Sequence, residues 1–108
     1  MKLLPSLKSK KRYVVFEIIS TKVFLFGEVE EAVLAALQHF LGELGVAHAS
    51  PLLIKEKYKN NRFIIRVDHK YANECIAALM LIKKIKNTPV IVRSIITSGT
   101  LKKSSIYI

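Results

Sequence analysis

The pattern of apolar and polar positions along the chain begins with a dense apolar run at residues 13–19. Its β-branched and aromatic side chains favour a strand that lies deep in a sheet. Alternation would place Val14, Phe16 and Ile18 on a wholly apolar face that packs against helices. The other face mixes Glu17 with apolar groups, so we expect it to be partly covered or to face a partner. We expect Glu17 to pair with a neighbouring Lys or Arg.

Residues 28–44 predict the first helix. Glutamates occupy its first turn, where the helix dipole favours carboxylates, and Gly45 is expected to end it. Apolar side chains recur at spacings of three and four and would form one buried stripe, made of Val29, Val33, Leu37, Phe40 and Leu44.

Two alternating runs, residues 51–59 and residues 62–68, predict an antiparallel hairpin. Asn60 and Asn61 would form its turn, since asparagine tolerates a positive φ. In the second run, alternation predicts that Phe63, Ile65 and Val67 point inward and that Arg62, Ile64 and Arg66 point outward.

A second helix is predicted from about residue 69 or 70 to residue 85, with Asp68 as its N-cap. Its lysines, Lys83, Lys84 and Lys86, would lie at the C-terminal end, where cations suit the dipole. Residues 90–97 predict the last strand, and residues 104–108 are a short tail that could add a turn or an edge strand. The buried stripe of this helix would comprise Cys75, Ile76, Leu79 and Ile82.

The order strand, helix, strand, strand, helix, strand predicts an α+β fold of the ferredoxin-like, RNA-recognition-module-like βαββαβ type. Its antiparallel sheet would carry two helices on one face. Residues 1–108 would form a single domain, of which residues 1–10 are a basic, mobile arm. Because this fold hosts many functions, it does not decide the function alone.

The net charge of +10 on 108 residues indicates a polyanionic partner, and phosphate backbones are the commonest polyanion. A merely solubilising surface is the alternative. No apolar run is long enough to span a bilayer, and residues 1–12 lack the apolar core of a secretory signal. A single cysteine, Cys75, fits a reducing compartment. These features predict a cytoplasmic protein.

Candidates for catalysis are few, and we predict no catalytic residue, no metal ligand set and no cofactor bound by the protein. The histidines at 39, 48 and 69 have no spacing that puts two on one helix face, and a zinc site would lack cysteine partners. Cys75 falls in an apolar stripe and is interpreted as a buried thiol. The scattered glycines form no nucleotide-binding loop.

Basic residues instead predict an RNA-binding surface, which could be continuous. Tyr13 and Tyr58 are the plausible base stackers, so binding to the RNA backbone is favoured over base readout. The Ser98-Gly99-Thr100 segment could offer amides to a phosphate or could be an ordinary turn, and the pattern favours neither. The candidate RNA-binding residues are Lys8, Lys10, Lys11, Arg12, Tyr13, Lys55, Lys57, Arg62, Arg66, Lys83, Lys84, Lys86, Ser98, Gly99, Thr100, Lys102 and Lys103.

Residues 20–27 would be a loop of unusual apolar character. Large apolar side chains in a loop either tuck under the domain or contact another protein, and tucking is slightly favoured. The candidate protein-contact residues are Val23, Phe24, Leu25 and Phe26 of this loop, with Ile106 and Ile108 of the tail.

Three segments of the chain carry a family resemblance. Residues 10–18 (KKRYVVFEI), residues 40–45 (FLGELG) and residues 98–103 (SGTLKK) resemble archaeal ribonuclease P protein component 2, the counterpart of a small subunit shared by eukaryotic ribonuclease P and MRP. The resemblance covers nearly the whole chain. Asn60 and Asn61 depart from it, since glycine is expected at the hairpin tip of many relatives.

This resemblance implies an accessory subunit of a ribozyme that removes the 5′ leader of precursor tRNA. The RNA would supply the active site, where magnesium is expected, and the protein would bind and stabilise the catalytic domain of the RNA. The implied partners are ribonuclease P RNA, precursor tRNA, ribonuclease P protein component 3 and other subunits, with a homodimer contact as a further candidate. The competing hypothesis is a protein-interaction or regulatory module that binds no RNA.

Overall fold

A computed structural model describes residues 10–108 and gives the chain a four-stranded antiparallel sheet with helices packed on it. Lys8 and most of the predicted arm lie outside the described residues. The elements are β1 (Lys11–Ile19), α1 (Phe26–Ala49), β2 (Leu52–Leu53), β3 (Arg62–Asp68), α2 (Ala72–Met80), β4 (Lys84–Ile85), β5 (Thr88–Pro89), β6 (Ile91–Ser98) and α3 (Leu101–Ser105), with 3₁₀ turns at Lys55–Lys57 and His69–Tyr71.

The strands follow one another across the sheet in the order β2, β3, β1, β6. β1 is central and pairs antiparallel with both β3 and β6. β4 and β5 form a separate small hairpin. The long crossovers through α1 and α2 put the strands in the ferredoxin-like order, so the predicted fold class is confirmed.

The core lies between α1, α2 and one face of the sheet, which we call the first face. The rings of Phe16 and Phe63, opposite each other on β1 and β3, stack with their centroids 5.3 Å apart. The predicted inward positions of both strands are confirmed, since all of them are buried: Val14, Phe16, Ile18, Phe63, Ile65 and Val67.

α1 differs from its predicted bounds. The helix breaks at Gly42, whose φ of 75° and ψ of 174° are not helical, and then continues to Ala49. Glycine adopts this φ without a Cβ clash. Ser50, at φ 48°, ends the helix, so the prediction of Gly45 as the terminator is wrong. The apolar stripe ends earlier than predicted, at Leu37: Phe40, just before the break, and Leu44, after it, are 47% and 72% exposed.

The predicted hairpin and second helix are both shorter than expected. β2 contains only Leu52–Leu53, because the chain then turns into the 3₁₀ segment Lys55–Lys57. α2 ends at Met80, because the next residues form the β4–β5 hairpin around a turn at Lys86 and Asn87, both at positive φ. Asp68 caps the 3₁₀ turn before α2 by accepting a hydrogen bond from the Lys70 amide at 2.9 Å.

The opposite face of the sheet, which we call the second face, carries Val15, Glu17, Ile64 and Arg66. Ile64 lies on this face, as alternation predicted, but Val15 and Ile64 are fully buried, so this face is covered as well. The tail explains this burial: it forms α3, which lies against β1 and β6, and the Ser104 hydroxyl donates to the Tyr13 carbonyl at 3.5 Å. The first and second faces are therefore both covered, the second by the short α3.

Candidate nucleic-acid interface

The start of β1 and the ends of β3 and β6 meet at one end of the sheet. Lys11 lies opposite Asp68 on β3, and Tyr13 lies opposite both Arg66 on β3 and Ser98 on β6. α3 begins directly after β6. We call the cationic side chains gathered here the basic end, and they are Lys10, Lys11, Arg12, Arg66, Lys102 and Lys103.

Within residues 10–108, the cations of the basic end form no ion pair. The ion pairs of residues 10–108 join Glu17 to Arg62 and Arg93, Glu31 to Lys86, and Asp68 to His69, and none includes a member of the basic end. Asp68, the carboxylate nearest in register, is buried and accepts from the Lys70 amide. A cluster of unpaired cations is what a polyanion recognises.

Arg12 lies beside Gly99, one position beyond the paired residues Tyr13 and Ser98. A Cβ placed on Gly99 would be 3.8 Å from Arg12 Nη1, and Arg12 Nη1 donates to the Lys11 carbonyl at 3.2 Å. Thus the sheet joins two segments that the sequence predicted separately, the start of β1 and the turn after β6.

The Ser98-Gly99-Thr100 segment forms the turn into α3. The Thr100 amide donates to Ser98 Oγ at 3.2 Å, and Thr100 Oγ1 accepts from the Lys103 amide at 3.2 Å as the N-cap of α3. These amides have partners within the chain. The arrangement therefore corresponds to the ordinary-turn alternative, and phosphate binding by Gly99 stays a prediction.

Glu17 lies at the centre of the second face between two arginines. Its Oε2 is 3.1 Å from Arg62 Nη2, and its Oε1 is 2.8 Å from Arg93 Nη2. Hydrogen bonds from Arg93 and Arg62 lower the pKa of the Glu17 carboxyl below its ordinary value. The predicted pairing of Glu17 with a neighbouring cation is confirmed. Sequence reasoning missed Arg93, which stands opposite Glu17 in the β1–β6 register.

Arg62, a predicted RNA-binding residue, instead has contacts within the chain. Besides Glu17, its Nη1 donates to the Tyr107 carbonyl at 2.8 Å, which ties the tail to the sheet. Tyr58, a predicted base stacker, donates its hydroxyl to the Phe24 carbonyl, and its ring meets Phe26 edge to face at 5.9 Å. Burial raises the pKa of this hydroxyl. Tyr58 thus helps to hold the loop that precedes α1.

The other predicted basic residues that the structure describes do not join the basic end. β1 runs away from it toward α1, and the β4–β5 hairpin lies against α1, where Lys86 Nζ is 3.5 Å from Glu31 Oε1. The lysines at 83, 84 and 86 therefore belong to a different part of the molecule, because α2 ends early. The expectation of one continuous surface is wrong for Lys83, Lys84 and Lys86; Lys55 and Lys57 lie on the 3₁₀ turn after β2.

The apolar loop before α1 is buried at one position and exposed at two others. Phe24 is buried, whereas Val23 and Leu25 are 66% and 74% exposed. Asn61 fixes the loop, since its Oδ1 accepts from the Phe24 amide at 2.9 Å and its Nδ2 donates to the Lys22 carbonyl at 2.8 Å. In the tail, Ile106 is exposed and Ile108 is partly buried, as is Phe26, which the structure places at the start of α1.

Groups that could act chemically are sparse in residues 10–108. Within them, no group of three or more His, Cys, Asp or Glu side chains could hold a metal ion. Cys75 is buried, and burial raises the pKa of its thiol to about 11. The ring of His48 stacks on Tyr71. None of the helices in the described part of the chain is long and apolar enough to cross a membrane.

The model of the Rpp14/Pop5 family matches residues 12–108, which include the second face and all of the basic end except Lys10 and Lys11. The chain belongs to the Rpp14/Pop5 family. The match begins at Arg12 and extends through the tail, so the segments that carried the resemblance from residue 12 onward lie inside it.

Curated relatives named ribonuclease P protein component 2 are similar to most of the chain. The protein of Thermococcus kodakarensis is 39% identical over 99 residues, which cover 92% of this chain and 82% of that protein. That of Pyrococcus abyssi is 40% identical, covering 92% and 84%. That of Methanocaldococcus jannaschii is 31% identical over 102 residues, covering 94% and 75%. These relatives and the family match confirm the prediction that the chain is a ribonuclease P protein subunit.

A solved structure supports the fold. A chain in the cryo-EM structure of yeast ribonuclease MRP superposes with a TM-score of 0.69 at 12% identity, covering 93% of this chain and 86% of that one. The two chains thus share the fold although they have little sequence in common.

Proposed function

We propose that this chain binds the RNA of ribonuclease P through its basic end and stabilises the catalytic domain of that RNA, which cleaves the 5′ leader from precursor tRNA. The observation that carries the proposal is the gathering of cations at the basic end, whose six members form no ion pair within residues 10–108. The three segments that supply these cations are residues 10–12, Arg66 and residues 102–103. They lie far apart in the sequence, so only the fold brings them together.

Phosphate contacts of this kind act by displacing counterions. Each cation that neutralises a phosphate releases counterions, so the observed affinity falls steeply as salt rises. Base readout contributes less in this proposal, because α3 covers part of the face on which RNA-recognition modules stack bases. Tyr13, at the edge of the covered region and partly exposed, is the one predicted stacker that stays available.

In this proposal the chain supplies no group to the cleavage step. Phosphodiester hydrolysis would use magnesium held by the RNA, since the described residues offer no cluster of carboxylates or imidazoles for an ion. The protein's contribution is positive charge at fixed positions, which lowers the repulsion between RNA phosphates that pack closely.

A second surface would bind protein. Val23 and Leu25 project from a loop whose backbone is held by Asn61 and Tyr58, and large exposed apolar side chains on a fixed loop are typical of interfaces. The proposed occupants are component 3 or a second copy of the chain. This observation also favours the competing hypothesis, a protein-interaction module without RNA.

Reconstitution of precursor-tRNA cleavage tests the proposal. Adding the chain to the RNA and the other subunits should raise the rate or lower the magnesium concentration that cleavage requires. A matched reaction with the double variant V23S/L25S separates the two surfaces, because this change leaves the basic end intact. If the chain changes neither quantity, the proposal is wrong and the module without RNA is favoured.

A further inference from the structure

Arg66 differs from the other arginines of the described chain in having no partner. Its Nε is buried and forms no hydrogen bond within residues 10–108. Arg62, four residues earlier on the same strand and face, binds Glu17 and the Tyr107 carbonyl. Arg93 binds Glu17, and Arg12 donates to the Lys11 carbonyl.

An unpaired buried N–H of this kind is costly. Leaving a buried donor unsatisfied costs about 1–3 kcal/mol, and more for a charged group. A guanidinium cannot escape the cost by losing its proton, because an arginine side chain stays charged in proteins. An acceptor from outside the chain cannot reach the buried Nε directly, but an anion at the exposed part of the same guanidinium offsets the cost of the unpaired charge.

The surroundings of Arg66 suit such an acceptor. Its cross-strand neighbours are Tyr13 on β1 and Leu52 on β2, and beyond Tyr13 in the same row lies Ser98 on β6. This row holds no carboxylate. Arg66 and Tyr13 are partly exposed and Leu52 is 45% exposed, so the row is open to a ligand.

We propose that Arg66 binds a backbone phosphate of the RNA and is the main phosphate anchor of this chain. The inference rests on the proposed function and adds to it one residue and its mode of contact. A guanidinium can donate two parallel hydrogen bonds to one phosphate, which an ammonium cannot. A protein carboxylate could satisfy Arg66 alone, but a polyanion also satisfies the neighbouring unpaired Lys10, Lys11 and Arg12.

Substitutions in the full chain, titrated with ribonuclease P RNA at several salt concentrations, test this role. R66Q should weaken binding about tenfold or more and reduce the slope of log K against log salt by about one. R66K should keep the slope yet lose severalfold in affinity, because the ammonium keeps the charge and loses the paired geometry. The matched control R93Q removes an arginine from the same face, one that Glu17 already neutralises, and should change affinity less than twofold.

The outcomes separate this inference from the proposed function. If the affinity of the unaltered chain for the RNA does not change with salt concentration, the proposed function itself is refuted. If RNA binding depends on salt but is equal in R66Q and the unaltered chain, only the role of Arg66 is refuted. The same holds if R66Q loses binding to a protein partner while its RNA affinity is unchanged. R66Q should melt no lower than the unaltered chain, since it removes an unpaired charge, and a clear fall in Tm would show a structural role instead.

A measurement without substitution guards against misfolded variants. In the unaltered ¹⁵N-labelled chain, the Nε–H signal of Arg66 should shift on addition of the RNA, while that of Arg62 stays in place because its partners are internal. An unmoved Arg66 signal at saturating RNA would overturn the inference.

Discussion

Arg93 Nη2 lies 2.8 Å from Glu17 Oε1, although the two residues are 76 positions apart in the sequence. Arg62 approaches the other carboxylate oxygen, so one carboxylate joins β1 to both of its neighbouring strands. Glu17 thereby offsets one of the two positive charges in the middle of the second face, whereas the cations of the basic end have no ion pair within residues 10–108.

Replacing Glu17 should reduce stability in a pH-dependent way. The pKa of Glu17 is lower in the folded chain than its ordinary value of 4.5, so its contribution is present above about that pH and is lost as pH falls through the lowered value. We expect E17Q to lower the free energy of unfolding by about 1 kcal/mol at pH 7 and by much less at pH 3, in urea titrations. An equal loss at both pH values would contradict the ionic role. E74Q, at an exposed position on α2, is the matched control and should change little.

Removing the Tyr58 hydroxyl should loosen the loop before α1. Y58F deletes the hydrogen bonds to the Phe24 carbonyl and to Asn61 Oδ1 and keeps the ring against Phe26. We expect a loss of about 1 kcal/mol in unfolding free energy, together with faster amide hydrogen exchange in residues 22–25. Y107F is a control, since the contact between the tail and Arg62 uses the Tyr107 carbonyl. Unchanged exchange in the loop of Y58F would show that the hydroxyl does not hold it.

Cys75 should be inert in the folded chain. Burial raises the pKa of its thiol to about 11, so little thiolate exists at pH 8, and the side chain is inaccessible to reagents. Labelling with iodoacetamide at pH 8 should be slow in native buffer and fast in urea. Rapid labelling in native buffer would mean that α2 opens readily or that Cys75 is exposed.

The strands could be predicted because their side chains repeat with the period of a sheet. The inward sets of β1 and β3 followed from alternation, as did the turn at Asn60 and Asn61, both at positive φ. Partial cover of the second face could also be predicted for β1 from its apolar run, which Val15 continues; Ile64 continues the run of β3 in the same way, and such runs are typical of strands covered on both faces.

Helix ends and long-range pairs were harder to predict. Gly42 and Gly45 are equally able to end a helix, and the chain uses Gly42 as a break and Ser50 as the end because of tertiary packing. The β4–β5 hairpin depends on Lys86 at positive φ, which lysine seldom adopts. The basic end could not be located from the sequence, since it requires the register that brings Arg66 and Ser98 to Tyr13.

The central claim is that the basic end contacts RNA phosphates, and a comparison of two triple variants tests it most directly. K10A/K11A/R12A removes three charges from the basic end, whereas K83A/K84A/K86A removes three from the β4–β5 region. Each variant is titrated with ribonuclease P RNA across a series of salt concentrations, and its Tm is measured. We expect the first to lose affinity and up to about three units of salt slope with little change in Tm, and the second to change the slope much less. Equal slopes for the two triple variants, or a first variant that loses stability instead of affinity, would contradict the account.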